Sequence, residues 1–195
     1  MSDAERWDAK WKMAQGPGEP SAFFESALPG LLARLRKTPG ARALDVAAGL
    51  GRHALPLARA GIQVDAAEIS GVAAGRLSQA AGREALPIRL LRCDLSNLAQ
   101  SREALGINRY GLILDFFYLE RPLFPVLARA ARPGATLLVE TRLSPGEPGS
   151  PGNPKGYWLA PGELARLLRR DWRLLELHEE GRADRALARA IARRR

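Results

Sequence analysis

The chain has 195 residues, with 30 Lys or Arg against 21 Asp or Glu, so its formal charge at neutral pH is +9. This length suits a single domain with one buried core and is too short for two full-sized domains. It contains no apolar stretch as long as a membrane span and no secretory leader pattern, so we expect a cytoplasmic protein without a membrane partner.

Residues 1–38 predict a helical cover that precedes the main body of the domain. Trp7 and Trp11 lie one helical turn apart, and after a Gly/Pro break a second helix is expected to end near Arg36. The two indoles suit the apolar face of a helix docked on the body. The alternative is a cover over a ligand pocket.

Short apolar runs then alternate with amphipathic segments, which is the pattern of βα units stacked into a parallel sheet. Strands are expected at 42–48, 62–68, 87–93, 110–117 and 135–141. Helices are expected at 52–60, 70–82, 97–106 and 120–131. The pattern predicts an α/β fold with a doubly wound sheet and helices on both of its faces.

Residues 143–160 are dense in Pro and Gly, which predicts a loop. We place this loop on the substrate side, with Tyr157 and Trp158 as apolar lid residues, although an ordinary insertion would look the same. A helix at 162–170 and two strands turned about Gly181 are expected to follow. The second strand is ambiguous, because it alternates like a strand and yet is rich in alanine, which favours helix.

The segment "ALDVAAGLGRHALPLA", residues 43–58, joins the first strand to the first helix of the sheet. Gly49 and Gly51 allow a tight turn and close approach of a ligand, although a plain turn would also use them. Asp45 discriminates between ligands, because a carboxylate repels a pyrophosphate at a helix N-terminus. It would attract the sulfonium and ammonium groups of S-adenosylmethionine.

Two further acids follow the next strands. Glu68 ends the second strand, where one carboxylate can accept both hydrogen bonds of a ribose diol; Asp65 is the alternative but lies inside the strand. Asp94 follows the third strand, where it can accept the adenine amine while the Leu95 amide faces a ring nitrogen. The alternative role for Asp94 is a cap for the next helix.

These residues together resemble a class I S-adenosylmethionine-dependent methyltransferase over nearly the whole chain. "LDVAAGLGRHALPLA" is similar to the first motif of the family, "VDAAEIS" to its ribose acid, "CDLSN" to its adenine aspartate and "ARPGATLLVE" to the step before its fifth strand. "GRHALPLA", "FFYLERPLFPVLARAARPGATLLVET" and "NPKGYWLAPGEL" look most like small bacterial methyltransferases of the tellurite-resistance type.

The resemblance implies a Rossmann-like sheet of seven strands, mostly parallel, whose last strand is antiparallel. It also implies S-adenosylmethionine as cofactor, with these contacts: Asp45, Ala47, Gly49 and Gly51 at its methionine part, Glu68 at the ribose, Asp94 and Leu95 at the adenine, and the Phe116 carbonyl at the amine. Ala47 departs from the glycine usual in the family, which is a modest change if this residue keeps ordinary strand angles.

Methyl transfer depends mainly on alignment and exclusion of water, so no catalytic residue is assigned firmly by type. Tyr118 and Arg121 are candidates to meet the substrate, and His53 is a candidate neutral base at a helix start. A structural role remains open for His53, and a solvent-facing one for Arg121. Cys93 is expected to be a buried structural thiol, and no metal cluster surrounds either histidine.

The predicted acceptor is a small molecule. The Asn/Asp-Pro-Pro-aromatic sequence of adenine-type amino methyltransferases is absent after the fourth strand, and no aromatic residue interrupts the arginine-rich "RALARAIARRR". Nucleic acid is therefore a possible but not a favoured partner. The alternatives are an RNA or protein methyltransferase and a non-catalytic nucleoside-binding domain. No oligomeric state is predicted.

Overall fold

The computed structural model describes residues 1–38, 40–144, 158–181 and 186–195. Its helices are α1 (Asp3–Met13), α2 (Ala22–Arg36), α3 (Ala54–Arg59), α4 (Gly71–Arg83), α5 (Leu98–Leu105), α6 (Leu123–Ala130) and α7 (Glu163–Leu168). Its strands are β1 (Arg42–Val46), β2 (Gln63–Glu68), β3 (Ile88–Arg92), β4 (Tyr110–Phe116), β5 (Ala131–Arg142), β6 (Trp172–Glu180) and β7 (Leu187–Arg194). In these ranges no helix combines the length and apolarity that crossing a membrane requires.

The seven strands form one sheet in the order β3-β2-β1-β4-β5-β7-β6. β7 is antiparallel to both of its neighbours, whereas the pairs among β1 to β5 are parallel. The predicted α/β fold, with seven strands and an antiparallel last strand, is confirmed. The order reverses beside β1, so the carboxyl ends of β1 and β4 flank a crevice of the kind that binds ligands.

Both faces of the sheet are covered by helices. Phe24 from α2 and Leu57 from α3 pack with Leu112 on one face, and Leu127 from α6 and Leu164 from α7 join a larger cluster on the other. Each of these side chains is at least 97% buried. Burying a side chain of this size stabilises the fold by about 1.5–3 kcal/mol.

The boundary between α6 and β5 differs from the predicted helix at 120–131 and strand at 135–141. The helix begins only at Leu123, after Pro122, and β5 begins directly behind it at Ala131. Ala131 already pairs with Tyr110, and the register shifts before Leu112. This irregularity accommodates the Pro-Gly step in β5. The local sequence pattern predicts a break between helix and strand at that step.

β7 settles the ambiguity of the alanine-rich segment in favour of a strand. Ala188, Ala190 and Ala192 are fully buried and alternate with half-buried residues. Because β7 lies between β5 and β6, both of its edges are hydrogen-bonded, and this tertiary context overrides the helix preference of alanine.

The described ends of the predicted loop at 143–160 lie side by side. Leu143 and Leu159 form an isolated parallel bridge, and the Ser144 N–H donates to the Leu159 carbonyl at 2.7 Å. Trp158 is described, whereas the predicted lid residue Tyr157 lies outside the described residues.

Candidate active site

A cavity of about 610 Å³ opens at the carboxyl ends of the central strands. It is the size of a pocket for a drug-sized ligand or cofactor. Six of the predicted cofactor residues line it: Ala47, Gly49, Glu68, Asp94, Leu95 and Phe116. Asp45 and Gly51 do not, although they belong to the same predicted loop.

Glu68 ties the end of β2 to the turn after β1. One of its carboxylate oxygens accepts from the Gly49 N–H at 2.8 Å and the other from the Ser70 N–H at 2.7 Å. Burial raises the pKa of this carboxyl, and these N–H groups oppose the shift. Each oxygen retains a lone pair, so Glu68 can still accept hydrogen bonds from a diol in the cavity. Asp65 lies elsewhere, among arginines at the other end of the strands.

Asp94 and Leu95 form the next part of the wall. One oxygen of Asp94 accepts from the N–H and hydroxyl of Ser96, while the cap of α5 is Asn97. Capping is therefore not the role of Asp94. Among the described residues, none accepts from the Leu95 N–H, so this wall offers a donor beside an acceptor, as an adenine edge requires.

Asp45 lies beneath the loop rather than in the cavity. Only 2% of the residue is exposed, and its Oδ2 atom has no hydrogen-bond partner within the described residues. Burial raises its pKa to about 7, against a lowering by the Ala54 N–H in the first turn of α3. The side chain therefore faces α3, and direct attraction of a cation in the cavity is not what this position provides.

Gly51 also serves packing. Its φ is +84°, and a Cβ atom there would overlap the side chain of Leu77 in α4. Glycine at this position lets α4 pack against the loop. Gly49, with φ +57°, is different, because a Cβ atom there would lie 2.8 Å from the Trp11 ring inside the cavity.

Ala47 has φ +51°, in the left-handed region that L-residues other than glycine rarely adopt. Alanine would be a modest change here only with ordinary strand angles, and that condition is not met. The chain turns out of β1 at this residue, and the family's usual glycine would make the same turn without strain.

His53 is a structural residue rather than a base facing the cavity. It is 2% exposed, its Nε2 accepts from the Ser21 N–H at 3.2 Å, and its ring lies 4.1 Å from that of Phe116. Burial, assisted by the charge of Arg52, lowers its pKa to about 3. The neutral imidazole therefore fastens the start of α2 to the body.

The N-terminal helix α1 is held over the site by two side chains. Asp8 accepts from the Ser70 hydroxyl and the Val72 N–H at the start of α4. Arg76 of α4 donates to the carbonyls of Trp11 and Ala14 at 2.6 and 2.7 Å. Because α1 has no buried residue of its own, these contacts account for its position.

α1 contributes aromatic and cationic groups that the sequence reasoning assigned only in part. Trp7 and Trp11 stack with ring centroids 6.2 Å apart, and the Lys10 ammonium lies 4.3 Å from the Trp7 ring and 4.7 Å from the Trp11 ring. All three residues line the cavity. Both readings of the tryptophan pair hold, since the helix docks on the body and covers the pocket; Lys10 was missed.

A second cavity of about 450 Å³ adjoins the first. Trp7, Lys10, Phe117, Tyr118 and Arg142 line both. Leu119, Thr141 and Trp158 line only the second. The two spaces therefore share a wall, and an acceptor in one would lie next to a cofactor in the other.

Phe117 and Tyr118 stand at that shared wall. Phe117 has φ +61°, which is rare for a bulky residue, and the Arg52 guanidinium lies 5.2 Å from its ring. Such strain concentrates at functional sites. Burial raises the pKa of the Tyr118 phenol, so at neutral pH this group is a hydrogen-bond donor and acceptor rather than a base.

Arg121 and His178 line neither of the two cavities. Arg121 is half-buried, pairs with Glu163 at 2.5 Å and donates to the Trp158 carbonyl. His178 is an exposed residue of β6. Cys93 is buried and borders the first cavity, and burial raises its thiol pKa to about 11, so it is no nucleophile. The described residues contain no metal-binding group of three or more His, Cys, Asp or Glu.

No family model and no curated protein matches the sequence. Solved structures do resemble the fold. A protein studied in the conversion of a disulfide bond into a thioacetal group during echinomycin biosynthesis is 17% identical, with a TM-score of 0.74 over 99% of this chain and 92% of that chain. Magnesium protoporphyrin IX methyltransferase from Synechocystis, with bound S-adenosylhomocysteine, is 16% identical, with a TM-score of 0.66 over 98% and 97%.

The chain has the class I methyltransferase fold. TehB from Haemophilus influenzae shares this methyltransferase fold at 18% identity and a TM-score of 0.66, over 86% of this chain and 62% of that chain. At such identities the likeness concerns the fold, and kinship with the tellurite-resistance type stays a prediction.

Proposed function

We propose that this chain is an S-adenosylmethionine-dependent methyltransferase that acts on a small molecule. The observation that carries the proposal is the pair of adjoining cavities at the carboxyl edge of a methyltransferase fold. The first has polar groups suited to a nucleoside, and the second combines aromatic rings with charged side chains. Two spaces with a common wall are what transfer between two bound molecules requires.

The residues present fit the cofactor. Glu68 would hold the ribose diol, and Asp94 with the Leu95 N–H would hold the adenine edge. The missing Cβ atom of Gly49 lets the Trp11 ring pack against the loop, and the Gly49 N–H is oriented by Glu68. Trp11 closes the cavity above Gly49, so a bound molecule would be shielded from water on the side of α1.

When bound, S-adenosylmethionine supplies a methyl carbon that an acceptor lone pair attacks while the carbon–sulfur bond breaks, its electrons staying on sulfur and any acceptor proton leaving to water. The residues of the chain align the two molecules. Phe117 and Tyr118, which line both cavities, would set the direction of approach, and α1 would exclude water. His53 lines neither cavity and Tyr118 keeps its proton at neutral pH, so neither is a base here, and an acceptor that is nucleophilic at neutral pH suits the site best.

Calorimetry with S-adenosylmethionine and S-adenosylhomocysteine tests the cofactor. We expect Glu68→Gln and Asp94→Asn to weaken binding by about tenfold or more, since each loses a charge-assisted hydrogen bond. Glu103→Gln, an exposed change on α5, is the matched control. Absence of binding by the unmodified protein would refute the proposal.

A panel of thiol, amine and oxyanion acceptors tests turnover by formation of S-adenosylhomocysteine. Binding of the cofactor without turnover of any acceptor would favour the non-catalytic nucleoside-binding alternative. The charge of +9 keeps RNA in consideration. Filter binding over a salt series separates this case, because affinity for a nucleic acid falls steeply as salt is added.

A further inference from the structure

The second cavity is lined by aromatic rings and by charged side chains. Aromatic rings of Trp7, Phe117, Tyr118 and Trp158 surround it. Flat rings of this kind favour a planar apolar guest, which stacks or packs edge to face against them. The volume of about 450 Å³ holds a small molecule and no folded chain.

Charged side chains also line this cavity. The cations are Arg6, Lys10 and Arg142, and the acids are Asp3 and Glu120. Asp3 is already engaged, since it pairs with Arg6 at 3.1 Å. Burial raises the pKa of the Glu120 carboxyl, against the lowering effect of Arg121, so Glu120 gives up its proton less readily than an exposed acid.

Lys10 is the cation best placed to meet a ligand. Its ammonium lies over two indole rings, and no carboxylate of the described residues is within 4 Å of it. An aromatic face attracts a cation and yet gives it no counter-charge. Burial and the charge of Arg52 lower the pKa of Lys10, and the charge of Glu68 opposes them.

We infer that the second cavity selects a small acceptor with a planar apolar body and an anionic group such as a carboxylate, the anion resting on Lys10 and the body against Trp7, Tyr118 and Trp158. The role as methyl acceptor rests on the function proposed above. The binding preference does not, because it can be measured without turnover.

Three matched probes test the preference: naphthalene-2-carboxylate, its carboxamide and 2-naphthylmethylammonium. Their rings are the same, and their polar groups are anionic, neutral and cationic. Calorimetry with and without saturating S-adenosylhomocysteine should show the carboxylate binding about tenfold tighter than the carboxamide, with the ammonium weakest. Equal or tighter binding of the carboxamide or the ammonium would overturn the inference.

The variant Lys10→Met keeps a long apolar side chain and removes the charge. It should reduce the preference for the carboxylate over the carboxamide to less than about threefold, while Arg83→Met, an exposed change on α4, leaves it unchanged. A preference that survives in a folded Lys10→Met protein, judged by circular dichroism, would also overturn the inference.

The two proposals fail separately. Loss of the carboxylate preference in a protein that binds S-adenosylhomocysteine contradicts only the acceptor class. Failure to bind S-adenosylhomocysteine, with the carboxylate preference intact, contradicts only the cofactor.

Discussion

Ala47 holds a conformation in which a Cβ atom is unfavourable, with φ +51°. Replacement by glycine should remove about 1 kcal/mol of strain and stabilise the protein. Ala48→Gly is the matched control, because Ala48 is not among the residues with positive φ and glycine there should destabilise by about 0.5–1 kcal/mol. Urea unfolding measures both changes. A loss of stability in Ala47→Gly equal to that in Ala48→Gly would contradict the strain.

Asp45 should make stability depend on pH. Burial raises its folded pKa from 3.8 to about 7, so the folded protein keeps a proton that the unfolded chain releases. Its contribution to stability is complete below about pH 4 and is lost as the pH rises through about 7. Asparagine cannot ionise, and Asp45→Asn should therefore stabilise the protein by roughly 3 kcal/mol more at pH 8 than at pH 4.5.

Urea unfolding of the Asp45 variant and the unmodified protein at both pH values gives the difference directly. Using that difference removes the opposite trend from His53, whose lowered pKa costs stability as the pH falls below about 6.5. The exposed change Glu103→Gln serves as control. A difference that does not vary with pH would mean that Asp45 titrates alike in both states.

At the scale of elements, the position of α1 depends on contacts with α4. Arg76→Met removes the two hydrogen bonds to the end of α1 while keeping the length of the side chain. Trypsin should then cleave after Lys10 and Lys12 several times faster, because those sites become accessible through local opening. Cut sites are assigned by intact mass spectrometry.

Arg83→Met is the control for that prediction, since it makes the same substitution at the last residue of α4. Cleavage in α1 at the same rate in the unmodified protein and in both variants would show that other contacts hold the helix. Global stability, followed by urea unfolding, is expected to change little in either variant.

The elements were largely predictable from sequence, because hydrophobic periodicity is a local property. The strand from Leu187 to Arg194 shows the limit of local prediction. Its alternation favours a strand and its alanine content favours a helix, and it is a strand because it pairs with β5 and β6. The boundary at Ala131 was missed for a similar reason, since pairing with Tyr110 extends the strand.

The place of Glu68 and Asp94 in the cavity wall was predictable, because position along a strand sufficed for both; their contacts with a cofactor stay a prediction. Asp45 was placed at the correct edge but on the wrong side of the loop. Strand alternation could have corrected this, since Ala43 packs on the face covered by α3 and Asp45 is two residues further on. The contact between Asp8 and Ser70 joins residues 62 apart, which no local pattern reports.

At the scale of the whole molecule, the two ends of the sheet have different roles. At the amino end, buried Asp65 of β2 binds Arg42 of β1, Arg89 of β3 and the hydroxyl of Tyr110 in β4. One carboxylate thus ties four neighbouring strands. The cavities lie at the opposite, carboxyl end, so stability and binding are separable by position.

Asp65→Asn should destabilise the protein by about 3 kcal/mol, because it leaves clustered arginines and a buried hydroxyl without their anion. Glu84→Gln, which breaks the exposed pair with Arg59, is the control and should have little effect. Urea unfolding measures stability. Affinity for S-adenosylhomocysteine, per folded molecule, should be unchanged in both, and a loss in the Asp65 variant would show that the ends are not independent.

Because α1 supplies walls to both cavities, the proposed function implies that the two ligands are thermodynamically linked. If a ligand in one cavity orders α1, a ligand that then binds in the other cavity no longer bears the entropic cost of ordering the helix. Linkage is reciprocal, so the factor by which cofactor tightens acceptor binding equals the factor by which acceptor tightens cofactor binding. A short amphipathic helix with no buried residue of its own would then act as the molecule's means of positive cooperativity between its two substrates.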